Sequence, residues 1–524
     1  MNTDRTTTGL GSPAWQDLAK QGLPLVLVLV SFTLLIFQLD AKSLSGDEIG
    51  NVEIERGALS WIVESMARTW SQHPPGSHLL MHFWIRLVGQ KDFIVRFPAV
   101  CWAVSSLPLL YRLGRRWFGL RVARLAMSLS TFAPVLILYG RMEKYYSLVL
   151  FLVLASMLLF DRTIRRPCIL HFLQMGFSTL VLLYTDYFAT LFAAGVQNII
   201  ALLKWRRSPN TLIAWLLPQC AAVLLFIPFA RVALAQMLSV QGGPEADLAS
   251  GCLAIIAKLG YFILSYSVGE TIWPWMPSAV IGVLLLGGFA LLGIVCQLRR
   301  QVLSSEHRGL WTIALAGIPM VGSTLLTSTF LRTVPLITLP NHVLFALPFF
   351  LLLVTAGIAQ IRRLHTLVTS IAIVILIPSI VNYYTGQQFH NPVFVTPSRQ
   401  VLKYILDHSE PGDLMVIDPA SGVLYYYTYH NLTQPRPVST LEEMTAQLGS
   451  GQARRVWLIT VNRDRTRPLG TDPVTAWLEQ HLSLLETTGF AEQDRVYRLV
   501  KTRLTGRPAY QYRVIVQLFA QSAP

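Results

Sequence analysis

The chain has 524 residues, 53% hydrophobic and 14% charged, where an ordinary soluble domain carries about 25% charged residues; this excludes a soluble enzyme and a disordered chain. The net charge of +15 would suit nucleic acid if it were concentrated on one surface. Residues 386–524, however, hold 14 Lys and Arg against 12 Asp and Glu, and the remaining basic residues sit between apolar runs, which excludes a dedicated nucleic-acid binder.

A polar leader, residues 1–21, precedes a first apolar run over 22–39, long enough to cross a hydrocarbon core of about 30 Å. No small-residue cleavage site closes that run, so it reads as a first transmembrane helix rather than a signal peptide. Residues 40–92 then form a structured outer loop with helical stretches at Val52–Arg68 and Ser77–Val88. The loop's aromatic residues Trp61, Trp70, Phe83 and Trp84 suit a membrane surface. Further spans are predicted at 93–111, 124–140, 145–161, 168–185, 188–203, 211–230, 277–297, 310–330, 341–359 and 365–383, eleven in all.

Every second connection is basic: Arg112, Arg115, Arg116, Arg121 and Arg124; Arg162, Arg165 and Arg166; Lys204, Arg206 and Arg207; Arg299, Arg300 and Arg308; Arg362 and Arg363. Under the positive-inside rule these residues face the cytoplasm, which puts the N-terminus inside and the tail outside in a cytoplasmic membrane. Counting residues 251–268 as a span would break that alternation, so they read as an interfacial or re-entrant helix on the outer side. The tail, 386–524, mixes strand-like runs at Leu414–Ile417, Val423–Tyr427 and Val456–Val461 with helical patterns at Arg399–His408, Leu441–Leu448 and Pro473–Leu485. That order predicts a small α/β domain. The five cysteines, Cys101, Cys168, Cys220, Cys252 and Cys296, lie in or beside apolar segments and suggest neither a disulfide framework nor a metal site.

Acidic residues at a membrane are costly, and the polar residues here gather on the outer side. Asp47 and Glu48 follow the first span. Both are expected to face the cavity formed by the helices, where a carboxylate close to substrate can act as a general base; capping the following helix is the structural alternative. His73-Pro-Pro-Gly76 fixes a turn into the next helix. Arg141-Met-Glu-Lys-Tyr-Tyr146 is an outer turn with two cations suited to a lipid phosphate or to headgroup anchoring. Asp186 lies at the next outer turn, and Arg332 and Asn341-His342 lie around the outer ends of spans nine and ten.

The acidic pair after the first span, the His-Pro-Pro turn, Arg96-Phe-Pro-Ala99, Arg112-Leu-Gly-Arg-Arg116 and the Arg141–Leu148 turn together resemble the C-type glycosyltransferase superfamily. The branch is that of protein O-mannosyltransferases and aminoarabinose transferases. The resemblance implies a polytopic α-helical membrane protein of about eleven spans, residues 22–385, with a small outer C-terminal α/β domain. It implies an inverting transferase that moves a sugar from a polyprenyl phosphate to a hydroxyl of a lipid, glycan or protein. In that reading Asp47 is the catalytic carboxylate. Glu48, His73, Arg141, Glu143, Lys144, Tyr145, Asp186, Arg332 and His342 are the substrate-binding set. The chain has Asp186-Tyr187 where many relatives have His-Tyr, and Asn341-His342 where they have Arg-Tyr, which leaves Arg332 to supply the missing guanidinium.

Inversion by one displacement needs a base at the acceptor and charge stabilisation at the departing phosphate, and no general acid. Asp47, Glu48 and His73 offer oxygen and nitrogen donors for a divalent metal, but at no recognised ligand spacing, so metal use stays open. Tyr425–Tyr429 and Trp457 offer rings for sugar stacking, or a plain aromatic core. The alternative functions are a transporter or flippase of lipid-linked sugars, disfavoured by polar residues gathered at one end, and a silent scaffold acting through its tail.

Overall fold

The computed structural model describes residues 14–68, 74–239, 251–303, 307–330, 339–361, 363–391, 394–451, 453–462, 473–505 and 509–521. Among them, seven helices are long and apolar enough to cross a membrane, eight if the pair Leu120–Thr131 and Pro134–Gly140 counts as one broken span. The predicted 124–140 span is that pair, bent by 58°. The break has a local cause, since a residue preceding proline is driven out of the helical region and Ala133 before Pro134 is extended at ψ 113°. The predicted spans at 22–39, 168–185 and 341–359 fall on shorter apolar helices, Gly22–Ile36, Ile169–Leu183 and Leu344–Ile358.

Most bundle helices turn one apolar side outward, as Leu284, Leu291, Leu217 and Phe177 show, while Leu347–Ile358 is buried along its whole length. Two glycines let a neighbour reach it. A Cβ on Gly293 would lie 2.0 Å from the Leu353 carbonyl oxygen, and one on Gly357 would lie 2.1 Å from that of Phe289. Helices Pro277–Leu303 and Leu347–Ile358 therefore cross backbone to backbone, as small residues permit in membranes. The helix Gly251–Val268, expected to be interfacial or re-entrant, packs into the bundle on one side. Lys258 Nζ donates to Thr327 Oγ1 at 3.3 Å and the Tyr266 hydroxyl to the Val343 carbonyl at 2.5 Å.

The first loop folds as three helices, Gly46–Glu55, Leu59–Arg68 and Gly76–Val88, with the predicted 52–68 helix split around Gly57. Trp61, Phe83 and Leu87 are exposed, an apolar fringe suited to a membrane surface. Trp70 lies outside the described residues.

In the tail, five strands form one sheet in the order β2-β1-β3-β5-β4: β1 (Leu414–Ile417), β2 (Arg436–Val438), β3 (Arg455–Val461), β4 (Ser483–Glu492) and β5 (Tyr512–Ala520). β1 pairs in parallel with β2 and β3, whereas β5 runs antiparallel to β3 and β4. The expected strand at Val423–Tyr427 is instead a helix, Val423–Tyr429. A short apolar run has no decisive periodicity, and here tertiary packing overrides the β propensity of its tyrosines. Tyr425, Tyr426, Tyr427 and Trp457 are buried in a core that joins this unit to Leu44, Ile49, Val52 and Val95 of the first loop and second span, so they are not free to stack on a sugar. The Tyr426 hydroxyl fastens the joint. It accepts from the Leu44 N–H at 2.7 Å and donates to Asp92 Oδ2 at 2.7 Å.

Candidate active site

The site is organised by a capped helix start. Ser45 caps Gly46–Glu55 in a reciprocal box: its N–H donates to Glu48 Oε2 at 2.8 Å, and its hydroxyl accepts from the Glu48 N–H at 3.4 Å. Successive helical residues point about 100° apart, so Asp47 and Glu48 cannot share one face. The expectation that both face the cavity is corrected accordingly. Glu48 is turned inward and only 1% exposed, while the Asp47 side chain is 63% exposed.

Glu48 meets Arg96, and all five guanidinium N–H groups of Arg96 find acceptors. Nε and Nη2 donate to the two Glu48 oxygens at 2.8 and 2.9 Å, and the rest donate to the carbonyls of Leu39, Lys42 and Ser43 at 2.8–3.0 Å. Glu48 Oε1 also accepts the Glu143 N–H at 2.9 Å. Burial alone would push the Glu48 carboxyl upward, but the Arg96 charge and these hydrogen bonds hold it below the usual carboxylate range. Arg96 and Glu48 thus tie the end of the first span, the Asp47 turn and the Glu143 turn into one frame.

On the Asp47 side, Lys144 Nζ lies 3.9 Å from Asp47 Oδ2 and 3.5 Å from Asn51 Oδ1. Tyr145 shares a hydrogen bond of 2.9 Å with His342 Nδ1, and the His342 ring meets Tyr146 edge-on and lies beside Phe188. Asp186 caps the helix beginning at Tyr187 by accepting the Ala189 N–H at 2.6 Å; burial pushes its carboxyl up to about 7 despite that bond. Gly76 docks the first loop on this turn, donating to the Tyr184 carbonyl at 2.7 Å, where a Cβ would come within 2.4 Å of that oxygen. Glu143 is buried with Oε2 unpartnered, and burial together with the Glu55 charge raises its carboxyl well above the ordinary range.

Arg141 opens on a separate, small cleft of about 40 Å³, lined by Lys42, Arg96, Tyr383, Tyr384, Phe389 and Phe394 among others. One Arg141 nitrogen, Nη2, donates to the Phe37 carbonyl at 2.6 Å, while Nε and Nη1 are buried without partners. The guanidinium lies over the Tyr383 and Tyr384 rings at 5.1 and 4.9 Å. Lys42 sits over Tyr383 and Phe389 at 4.3 and 4.4 Å and donates to the Tyr383 carbonyl. Burial, with Arg141 and Arg96 adding repulsion, lowers its ammonium to about 7.

The structure therefore gathers Asp47, Glu143, Lys144, Tyr145, Asp186 and His342 at one end of the bundle, with Glu48 inside its frame and Arg141 in the adjoining cleft. His73 and Arg332 lie outside the described residues. Among the described residues no group of three His, Cys, Asp or Glu side chains is placed to hold a metal, and both Glu48 oxygens are engaged by Arg96. Sequence reasoning missed Lys42, whose signal was a lysine just after the first span on a side poor in basic residues. It also missed Glu55, whose Oε1 lies 2.9 Å from His78 Nδ1.

Residues 72–231 match the family model described as dolichyl-phosphate-mannose-protein mannosyltransferase. No curated protein sequence matches the chain. Among solved structures, the chain is similar to ArnT from Cupriavidus metallidurans in the apo state, with TM-score 0.54 and 12% identity over 97% of this chain and 98% of that one. ArnT bound to undecaprenyl phosphate aligns with TM-score 0.51, 12% identity and the same coverage, 97% and 98%. The apo Archaeoglobus fulgidus oligosaccharyltransferase aligns at 0.50, with 9% identity over 97% of this chain and 89% of that one. The protein is thus a polytopic helical membrane protein with the C-type glycosyltransferase fold.

Proposed function

We propose that this protein is an inverting glycosyltransferase that moves a sugar from a polyprenyl phosphate to a hydroxyl of a lipid, glycan or protein at the outer face of the cytoplasmic membrane. The observation that carries the reading is the pairing of a held but exposed carboxylate, Asp47, with two cationic positions. Lys144 lies 3.9 Å away, and the Lys42–Arg141 cleft adjoins the same frame through Ser45 and Glu48. The match of residues 72–231 to the mannosyltransferase family and the fold shared with an undecaprenyl-phosphate-bound ArnT support it.

In the proposed step the acceptor oxygen forms a bond to the anomeric carbon as the bond from that carbon to the phosphate oxygen breaks. The bonding pair leaves on the phosphate, and Asp47 takes the hydroxyl proton. Lys144 and the unpaired Arg141 N–H groups stabilise the departing charge electrostatically. Tyr145, His342 and Asp186 shape the wall on the Asp47 side, where the sugar would lie.

Purified protein in vesicles, given a polyprenyl-phosphate sugar, tests the reaction class. A transferase releases polyprenyl phosphate only when a hydroxyl acceptor is present. Redistribution of intact donor between leaflets without release would instead establish the transporter reading. Mass spectrometry of cell-envelope glycolipids and glycoproteins, with and without the protein, identifies the acceptor.

A further inference from the structure

The connection between β4 and β5 carries an amphipathic helix, Arg495–Thr505, with Arg495, Arg498, Lys501 and Arg503 and no acidic residue. We infer that this helix lies on the membrane surface on the tail's side and binds the phosphates of anionic phospholipid headgroups, a contact separate from the proposed transfer reaction.

The topology brings the helix to that height. The register pairs Ile417 with Ile459, Val461 with Val514 and Glu492 with Tyr512, so the β4–β5 connection leaves the sheet at the end where β1 finishes. β1 leads there to Gly422, where a Cβ would lie 2.8 Å from Ile49 Cδ1 of the first loop, so this end is turned toward the bundle. From it the Tyr497 ring stacks on Trp273 at 4.5 Å, and Trp273 stacks on Trp275 at 5.5 Å. Trp275 is 41% exposed just before helix Pro277–Leu303, whose exposed Val280, Ile281 and Leu284 begin its lipid-facing side. A half-exposed tryptophan next to such residues marks the interface belt, so Tyr497 holds its helix at headgroup level.

The faces of the helix divide accordingly. Successive residues turn by about 100°, so with Tyr497 toward Trp273, the side chains of Val496, Arg503, Leu499 and Arg495 fall on one arc, about 100–200° round the helix. All four are exposed, and Val496 and Leu499 belong to none of the hydrophobic cores of the described residues. Directed away from the bundle at this height, the arc meets lipid. Its two apolar side chains can enter between headgroups while the flanking guanidinium groups pair with phosphates. The acidic residues that precede the helix are already engaged: Asp494 accepts the Tyr497 N–H at 3.0 Å, and Glu492 accepts from Gln511 Nε2 at 2.9 Å. The remaining positive charge selects anionic over zwitterionic lipid.

The test uses the full-length protein in nanodiscs of phosphatidylcholine with or without phosphatidylglycerol, read by hydrogen-exchange mass spectrometry. Amides over 495–505 should exchange more slowly with phosphatidylglycerol present, by about fivefold for each arginine engaged. Arg495→Gln with Arg503→Gln should abolish that difference. High salt should abolish it in the unaltered protein, which keeps the test decisive if the variant perturbs the tail. Val496→Ser with Leu499→Ser should speed exchange in both lipids. Lys403→Gln with Arg454→Gln, exposed on the tail outside this helix, should change nothing. Equal exchange over 495–505 with and without phosphatidylglycerol, a difference that survives high salt, or equal loss in the Lys403 and Arg454 control would overturn the inference.

Discussion

Replacing Arg96 with methionine removes five hydrogen bonds in one step while roughly preserving side-chain bulk. Two of them close the pair with Glu48, and three hold the carbonyls of Leu39, Lys42 and Ser43. Glu48 then remains a buried carboxylate served only by the N–H groups of Ser45 and Glu143. Removing one partner of a buried ion pair costs about 3–5 kcal/mol. At about 1.4 kcal/mol per decade, the Asp47 turn should open roughly a hundred to a few thousand times more often. Hydrogen-exchange mass spectrometry reads this directly: peptides over residues 39–55 should lose protection while peptides over β3 keep it. The pH dependence adds a signature. Because the folded Glu48 carboxyl lies below its ordinary range, it contributes stability above that range and loses it as pH falls through the folded value. In the variant the unpaired, buried carboxyl protonates readily, so its deficit should shrink between pH 7 and about 5. Wild-type protection over 39–55, or a deficit that widens on acidification, would refute the keystone role of Arg96.

Lys42 gives a second pH test: above about 7 it is largely neutral when unliganded, so binding an anion must recruit a proton. Affinity for polyprenyl phosphate, measured by fluorescence quenching or calorimetry, should fall by up to about tenfold per pH unit above that point, and Lys42→Met should flatten the profile. Gly357→Val places its side chain against the Phe289 carbonyl, and should lower the melting midpoint by the equivalent of about 1–3 kcal/mol or more. Tyr426→Phe leaves the Leu44 N–H and Asp92 short of a partner, and should cost about 1–3 kcal/mol at the joint, visible as faster proteolysis between the bundle and the sheet unit.

The helices were legible because each needs a long apolar stretch, and the tail's first and third strands because short β-rich runs stood between turn signals. What escaped was decided by packing. The tyrosines of Val423–Tyr429 have strand propensity, yet their helix is fixed by the first-loop residues it buries. Asp47 and Glu48 looked equivalent as neighbours in sequence, and only the helical turn and the distant Arg96 send one outward and the other inward. Arg96 was visible as part of a motif, but its role depends on carbonyls more than fifty residues away. Lys42 carries no motif, and its importance comes from Arg141 and the 383–389 aromatics closing over it.

The central claim is that Asp47 is the base in sugar transfer, and Asp47→Asn tests it most directly. The side chain is exposed and its replacement nearly isosteric, so the variant should fold and bind donor as the wild type does. In membranes given a polyprenyl-phosphate sugar and an acceptor, turnover should fall by about 10²–10⁴-fold, with donor affinity little changed. Transfer at the wild-type rate would contradict the account.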